Sequence, residues 1–159
     1  MKNTAFSVPV ENRYFEDYVV GSVHRFGSIK IEEKEIIAFA KRFDPQVFHI
    51  DLDNAKGTIY GGLIASGWHT GALMMRLFVD NYLSHAASLG SPGVKELRWL
   101  KPVRPGDEIS IRVTVLETRR SRSKPDRGIV QSFIEVINQD DEVVMDLKAV
   151  NFLSCRVTP

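Results

Sequence analysis

The sequence predicts an α+β fold, and three observations carry that expectation. Residues 66–83 form one long apolar stretch at helical spacing, with Ala72, Met74, Met75, Leu77, Phe78 and Leu83 spread nearly all round the helix. Everything after Ser91 reads instead as strand, with Val, Ile and Trp recurring between short polar turns. A strand and a shorter helix precede the long helix, so the order is strand, helices, then a run of antiparallel strands. A helix apolar on most of its sides is expected to be wrapped by the sheet rather than to lie on a surface.

Each element has a local cause. Residues 1–20 carry Tyr14, Phe15, Tyr18, Val19 and Val20 among acids and read as an arm lying on the domain, ended by Gly21. Residues 24–31 alternate as a strand. Residues 32–42 begin with acids, carry an apolar Ile36, Ile37, Phe39, Ala40 face and end with bases, which suits the helix dipole at both ends. Pro45 helps stop that helix, because the residue before a proline avoids the α region. Residues 51–56 predict a single helical turn, and the long helix over 66–83 would measure about 27 Å. Within it Gly67 and Gly71 cost roughly 1 kcal/mol each against Ala, and predict close approach of another backbone or a ligand. Strands follow at 94–100, 108–118, 129–138 and 143–153, with a stiff polar connection at 101–107, a basic hairpin loop at 119–127 and a tight turn at 139–142. The whole of 1–159 reads as one domain. A sheet this small cannot cover such a helix and also bury its own edges, so pairing of two copies edge to edge into a homodimer is expected.

Composition narrows the partners. The 159 residues carry a formal charge of +1, which gives no global field for nucleic acid or an anionic membrane. The single cysteine, Cys155, excludes an intramolecular disulfide and a cysteine-rich metal site, and fits a reducing cytoplasm. The N-terminal residues lack the apolar core of a secretory signal. The most hydrophobic segment, 60–83, is interrupted by glycines, His69, Arg76 and Asp80, and is too polar to cross a bilayer unaided. A cytoplasmic protein is expected.

The chemistry gathers between residues 39 and 77. Asp44 and His49 stand on either side of Pro45 in what reads as a non-helical turn, a geometry that can bring carboxylate and imidazole to one point. An ordinary imidazole takes a proton near neutral pH, and a carboxylate beside it can orient it or share a water with it. The alternative makes Asp44 a turn residue and His49 an ordinary loop histidine. Ser66 is a natural N-cap for the long helix. The same geometry offers free N–H groups for an oxyanion, and Gly67 would let a thioester carbonyl approach its amide closely. His69, one turn into the helix, fits a core or interface position better than a catalytic one. No zinc set, nucleophile elbow, phosphate loop or dinucleotide fingerprint is found. The basic run Arg119, Arg120, Arg122, Lys124 and Arg127 reads as a solvated hairpin, or as a clamp for the phosphates of a nucleotide handle.

These residues also carry a resemblance. FDPQVFHIDLDNAK from Phe43, followed by GGLIASGWHT from Gly61, resembles the hydratase signature of MaoC-like proteins, single-hot-dog relatives of the (R)-specific enoyl-CoA hydratases. Asp44, His49, Asp51 and Ala55 match its pattern, and WLKPVRPGD from Trp99 resembles the family's lead into a strand. The likeness spans about residues 15–152. It implies a hot-dog fold, in which an antiparallel sheet wraps a long helix and two copies join their sheets. It also implies Asp44 and His49 as the catalytic pair, the Gly67 amide as oxyanion donor and Ser66 as its polar support. Two departures stand out. Gln46-Val47-Phe48 replaces the Asn-Pro-aliphatic run of many members, and Ala65-Ser66-Gly67 replaces their Ala-His-Gly.

The function this implies is a hydratase/dehydratase interconverting 2-enoyl-CoA and (R)-3-hydroxyacyl-CoA, with acyl-CoA as substrate and no cofactor or metal. A hot-dog acyl-CoA thioesterase is an alternative, although the first acid in the long helix is Asp80. A non-catalytic acyl-thioester-binding subunit is another.

Overall fold

The long apolar stretch is a helix wrapped on one side by a five-stranded antiparallel sheet. The computed structural model describes residues 3–157. The strands are β1 (Val23–Lys30), β2 (Gly93–Trp99), β3 (Glu108–Arg120), β4 (Arg127–Ile137) and β5 (Val143–Ser154), in spatial order β1-β3-β4-β5-β2. Among the described residues four α-helices are inserted: α1 (Glu33–Phe43), α2 (Val47–Ile50), α3 (Leu52–Ala55) and α4 (Gly67–Asn81). This is the hot-dog arrangement, with α4 as the filling.

Alternation explains which face of the sheet meets α4. On β3 the residues Ile109, Ile111, Val113 and Val115 are buried, and on β4 Val130, Ser132, Ile134 and Val136, while the residues alternating with them face outward. Met74, Leu77 and Phe78 of α4 enter the same core. Each such side chain contributes roughly 1.5–3 kcal/mol on full burial. The opposite flank of α4 is not covered. Trp68, Met75 and Val79 are exposed, and Trp68 packs against Trp99 of β2, which is an edge strand. The helix is therefore wrapped over only part of its circumference within one chain.

The N-terminal residues hold the far end of α4. Arg13, buried against Phe6, donates to the carbonyls of Asn81 (2.7 Å) and Tyr82 (3.2 Å). The Tyr18 hydroxyl donates to the Tyr82 carbonyl at 2.8 Å. A cation and a hydroxyl thus satisfy carbonyls that the helix leaves unpaired at its C-terminus. The ring of Phe15 lies so close to Gly128 of β4 that any side chain there would collide with it.

Several boundaries shift from their expected places. α4 spans Gly67–Asn81, shorter than 66–83, with Ser66 as its N-cap and Tyr82 as its C-cap. β3 continues to Arg120 and β4 begins at Arg127, so only residues 121–126 form the hairpin loop. The segment holding His49 is a helical turn, α2, and not the non-helical stretch expected; Pro45 stops α1, but the chain re-forms a turn directly after it. Gly71 meets no close neighbour, since an added Cβ would make only ordinary contact with Met145 at 3.6 Å.

Candidate active site

The residues that meet at the start of α4 come from three local devices. Asp44 is the C-cap of α1, and its backbone N–H closes that helix on the Ala40 carbonyl at 2.8 Å. α2 then carries His49 back beneath Asp44. The loop after α3 is pinned by two backbone bonds, Ile64 N–H to Phe48 O at 2.9 Å and Ala65 N–H to Val103 O at 2.8 Å. That delivers Ser66 to the N-cap position, where its hydroxyl accepts the Trp68 N–H at 3.3 Å.

The contacts are specific. His49 Nε2 lies 3.3 Å from Asp44 Oδ2, with the histidine almost wholly buried and the Asp44 side chain 19% exposed. Ser66, fully buried, donates its hydroxyl to the same Oδ2 at 2.7 Å. The amide of Gln46 donates to the other oxygen, Oδ1, at 2.8 Å. Burial pushes the Asp44 carboxyl up, but the bonds from Ser66 and Gln46 and the neighbouring His49 outweigh it and hold the group below the usual carboxylate range.

The histidine tautomer follows from its other nitrogen. Nδ1 is 2.8 Å from the Ile64 carbonyl, which can only accept, so Nδ1 carries a proton. A neutral ring then presents the Nε2 lone pair towards Asp44. Two acceptors side by side suit the two protons of one water, and a proton taken by Nε2 turns the pair into an ion pair. This is the arrangement of a general base and its partner.

Asp44, Gln46, His49 and Gly67 line one hollow of about 530 Å³, whose remaining walls include Phe48, Tyr60, Trp68, Thr70 and Trp99. Gly67 is the first residue of α4, and among the described residues its N–H has no partner. Helix N-termini direct such groups outward with partial positive charge. The absence of a Cβ at Gly67 is required by packing: the indole of Trp99 lies against its Cα, and any side chain would collide with the ring. The close neighbour expected at Gly67, another backbone or a ligand, is instead an aromatic side chain, Trp99 of β2.

The site residues singled out in the sequence, Asp44, His49, Ser66 and Gly67, stand together. His69 stands apart from them, buried with its ring stacked on Phe39 at 4.7 Å. Burial, opposed by Glu35, pushes its pKa down, which favours the neutral ring. Asp51, which matches the family pattern, caps α3 by accepting from the N–H groups of Asp53 and Asn54. The basic hairpin lines a separate hollow. Sequence reasoning missed Gln46 and Trp99 as site residues. Gln46 had a signal in its place between the two titratable residues, whereas Trp99 is brought to Gly67 by tertiary packing alone. Among the described residues no cluster of three metal-ligating side chains occurs, and no helix is long and apolar enough to cross a membrane.

Taken together, these elements define a hot-dog domain with a carboxylate and a tautomer-fixed imidazole paired at the N-terminus of its central helix. Comparison with known proteins gives the family. The MaoC-like domain model matches residues 18–138, and the chain belongs to that family. The crystal structure of a MaoC-like dehydratase from Rhodospirillum rubrum is 40% identical, covering 92% of this chain and 99% of that one with a TM-score of 0.85. The uncharacterized protein YdeM of Bacillus subtilis is 28% identical over 131 residues, 82% of this chain and 92% of its own length. The unliganded R-hydratase PhaJ1 of Pseudomonas aeruginosa, at 24% identity and a TM-score of 0.71, covers 94% of this chain and 88% of that one and shares the fold.

Proposed function

We propose that this protein is a hydratase/dehydratase interconverting 2-enoyl-CoA and (R)-3-hydroxyacyl-CoA thioesters. The observation that carries the reading is the His49 Nε2–Asp44 Oδ2 approach of 3.3 Å beside the free Gly67 N–H. In the hydration direction His49 accepts a proton from a water held between the two side chains. The water oxygen bonds to C3, the double-bond electrons move to the thioester as an enolate, and a proton is delivered to C2 from the Asp44–His49 pair. The Gly67 N–H receives the enolate oxygen, a donor position worth roughly 3–4 kcal/mol in comparable sites. The Trp99 indole occupies the side of Gly67 where a Cβ would stand and leaves the N–H direction to the ligand.

The 40% identity to a protein described as a MaoC-like dehydratase supports the same reaction class. A thioesterase has less support, because the first turn of α4 carries no acid. We further propose a homodimer joined through the exposed β2 edge and the Trp68, Met75, Val79 flank of α4, which would enclose the pocket mouth at Trp68 and Trp99.

The test is a panel of enoyl-CoAs of increasing chain length, followed by loss of enoyl absorbance and by free thiol in parallel. Asp44→Asn and His49→Ala are each expected to lose roughly 100- to 10,000-fold in kcat, with the double variant little worse than either. An enoyl-CoA activity that persists in both single variants overturns the mechanism, and thiol release without enoyl consumption turns the reading to a thioesterase.

A further inference from the structure

The hairpin between β3 and β4 closes on itself through Ser121 N–H to Arg127 O (2.9 Å), and the Ser121 hydroxyl accepts the Lys124 N–H (3.2 Å). Beside it lies a second hollow of about 440 Å³, lined by Arg119, Arg122, Lys124 and Arg127 together with Ile129 and Phe152. Arg119, Ile129 and Phe152 form one row across three strands, since Arg119 pairs with Ile129 and Ile129 with Phe152. That row faces away from the core, because the flanking Gly128, Val130 and Leu153 are buried.

The charge here gathers around one hollow. Elsewhere several cations are matched, Arg25 by Asp141, Arg98 by Asp146, Arg112 by Glu135 and Arg156 by Asp17, while Arg13, Lys30, Lys41, Arg42, Lys95 and Arg104 have no carboxylate partner among the described residues but do not line this hollow. In the hollow Arg127 is matched by Asp126, but Arg119, Arg122 and Lys124 have no carboxylate within 4.0 Å among the described residues. With 21 basic and 20 acidic side chains in the chain, this is a local concentration and not a global field. Exposed cations alone say little. The apolar lining beside them is the second observation, because a simple anion has no use for Ile129 and Phe152, and a fatty carboxylate brings only one charge. A ligand that satisfies both halves is flat and aromatic at one end and multiply anionic at the other.

We propose that this hollow binds a nucleoside bearing more than one phosphate, with the base against Ile129 and Phe152 and the phosphates on Arg119, Arg122 and Lys124. Its position limits the source. Val144, at the start of β5, lines the Asp44–His49 hollow, whereas Arg127 pairs with Ser154 at the other end of that strand. The two hollows are separated by nearly a whole strand, on the order of 30 Å, so the basic hollow does not adjoin its own chain's acid–base site. Antiparallel pairing of two β2 edges would reverse the partner's strands and place its basic hairpin at the end of the joined sheet where this site opens. The nucleotide is then either the phosphorylated end of a CoA thioester seated in the other copy, which rests on the function proposed above, or a free nucleotide.

The binding arm needs no turnover, so its failure is distinct from failure of the hydratase reading. Calorimetric titration of the full chain with adenosine 3′,5′-bisphosphate should show binding that weakens with salt. Inorganic phosphate should bind roughly tenfold weaker or worse, and the triple variant Arg119→Gln, Arg122→Gln, Lys124→Gln should lose roughly tenfold or more in bisphosphate affinity. Phe152→Ala should weaken the bisphosphate and leave phosphate unchanged. No bisphosphate binding, binding unaltered in the triple variant, or equal affinity for inorganic phosphate overturns the proposal. Two further readings separate the sources. A handle site raises KM for the CoA thioester, but not for the matching pantetheine thioester, in the triple variant, with kcat near wild type. A free-nucleotide site keeps its bisphosphate affinity at saturating CoA thioester.

Discussion

Replacing Ser66 by Ala removes one oxygen with two duties, and the structure sets the size of each. As N-cap it accepts the Trp68 N–H at 3.3 Å, a long bond that places its contribution at the lower end, about 0.5–1 kcal/mol. As a donor it meets Asp44 Oδ2 at 2.7 Å, and a hydrogen bond to a charged group contributes about 1.5–3 kcal/mol. Asp44 keeps its bond from Gln46 and is partly open to water, which replaces some of that loss. The sum is about 2 kcal/mol, and at roughly 2–4 °C per kcal/mol for a chain of this size Tm should fall by about 4–8 °C.

The pH dependence has a definite sign. Asp44 is held below its ordinary value, so its contribution to stability is present above that value and is lost as pH falls through the lowered one. Ser66 is the first of the groups that lower it, so Ser66→Ala raises the Asp44 pKa. The variant's stability deficit should therefore be full near neutral pH and shrink in acid, and the acid limb of kcat/KM should move to higher pH. Thermal melts at a series of pH values, with the kcat/KM profile on an enoyl-CoA, measure both. A Tm within about 1 °C of wild type together with an unmoved acid limb would refute the arrangement.

Other outcomes follow from single contacts. Gly67→Ala should lower Tm, because the methyl collides with the Trp99 indole, and should lower kcat/KM as methyl and displaced indole crowd the N–H; unaltered kcat/KM would remove Gly67 from the mechanism. Tyr82→Phe breaks a buried 2.7 Å bond to the Ser132 hydroxyl, and the orphaned hydroxyl should cost about 1–3 kcal/mol in a denaturant melt, a cost that activity at low temperature should not mirror. Val94→Lys on the exposed β2 edge should shift sedimentation from dimer to monomer, and a wild-type chain that sediments as a fully active monomer would sink the dimer proposal.

Elements with strong periodicity were legible in the sequence, and contacts made by tertiary packing were not. The α4 register and the alternation on β3 and β4 could be read because burial repeats with the period of the element. α2 was not legible: four residues that include Val47, Phe48 and Ile50 carry no helical period, and their turn is held by the Gln46 and Val47 carbonyls after the proline. The spacing of Asp44 and His49 allowed the pair but left a turn aspartate and an ordinary loop histidine open, and it was the resemblance that implied the pair. Ser66 could be read as a cap, but its second bond to Asp44, 22 residues earlier, could not. Trp99 on Gly67 is of the same kind, a contact fixed only when β2 takes its place at the edge of the sheet.

The position of Asp44 between two helix ends accounts for the balance the site needs. As C-cap of α1 it stands at the negative end of one helix dipole, which alone would push a carboxylate towards its protonated form. Lys41 and Arg42 in the last turn of α1 oppose that end. More directly, the N-cap hydroxyl of α4 donates to Asp44, and the positive end of the longer helix faces it. Against burial, the carboxyl is therefore held below its usual range where two helix ends meet, chiefly by the Ser66 hydroxyl and then by the Gln46 amide and His49. The Gly67 N–H belongs to the same positive end, so in the proposed reaction the helix end that faces Asp44 would also face the enolate oxygen. A change that moves the start of α4 should then disturb the acid limb and the oxyanion donor together, whereas a change confined to Gln46 should disturb only the acid.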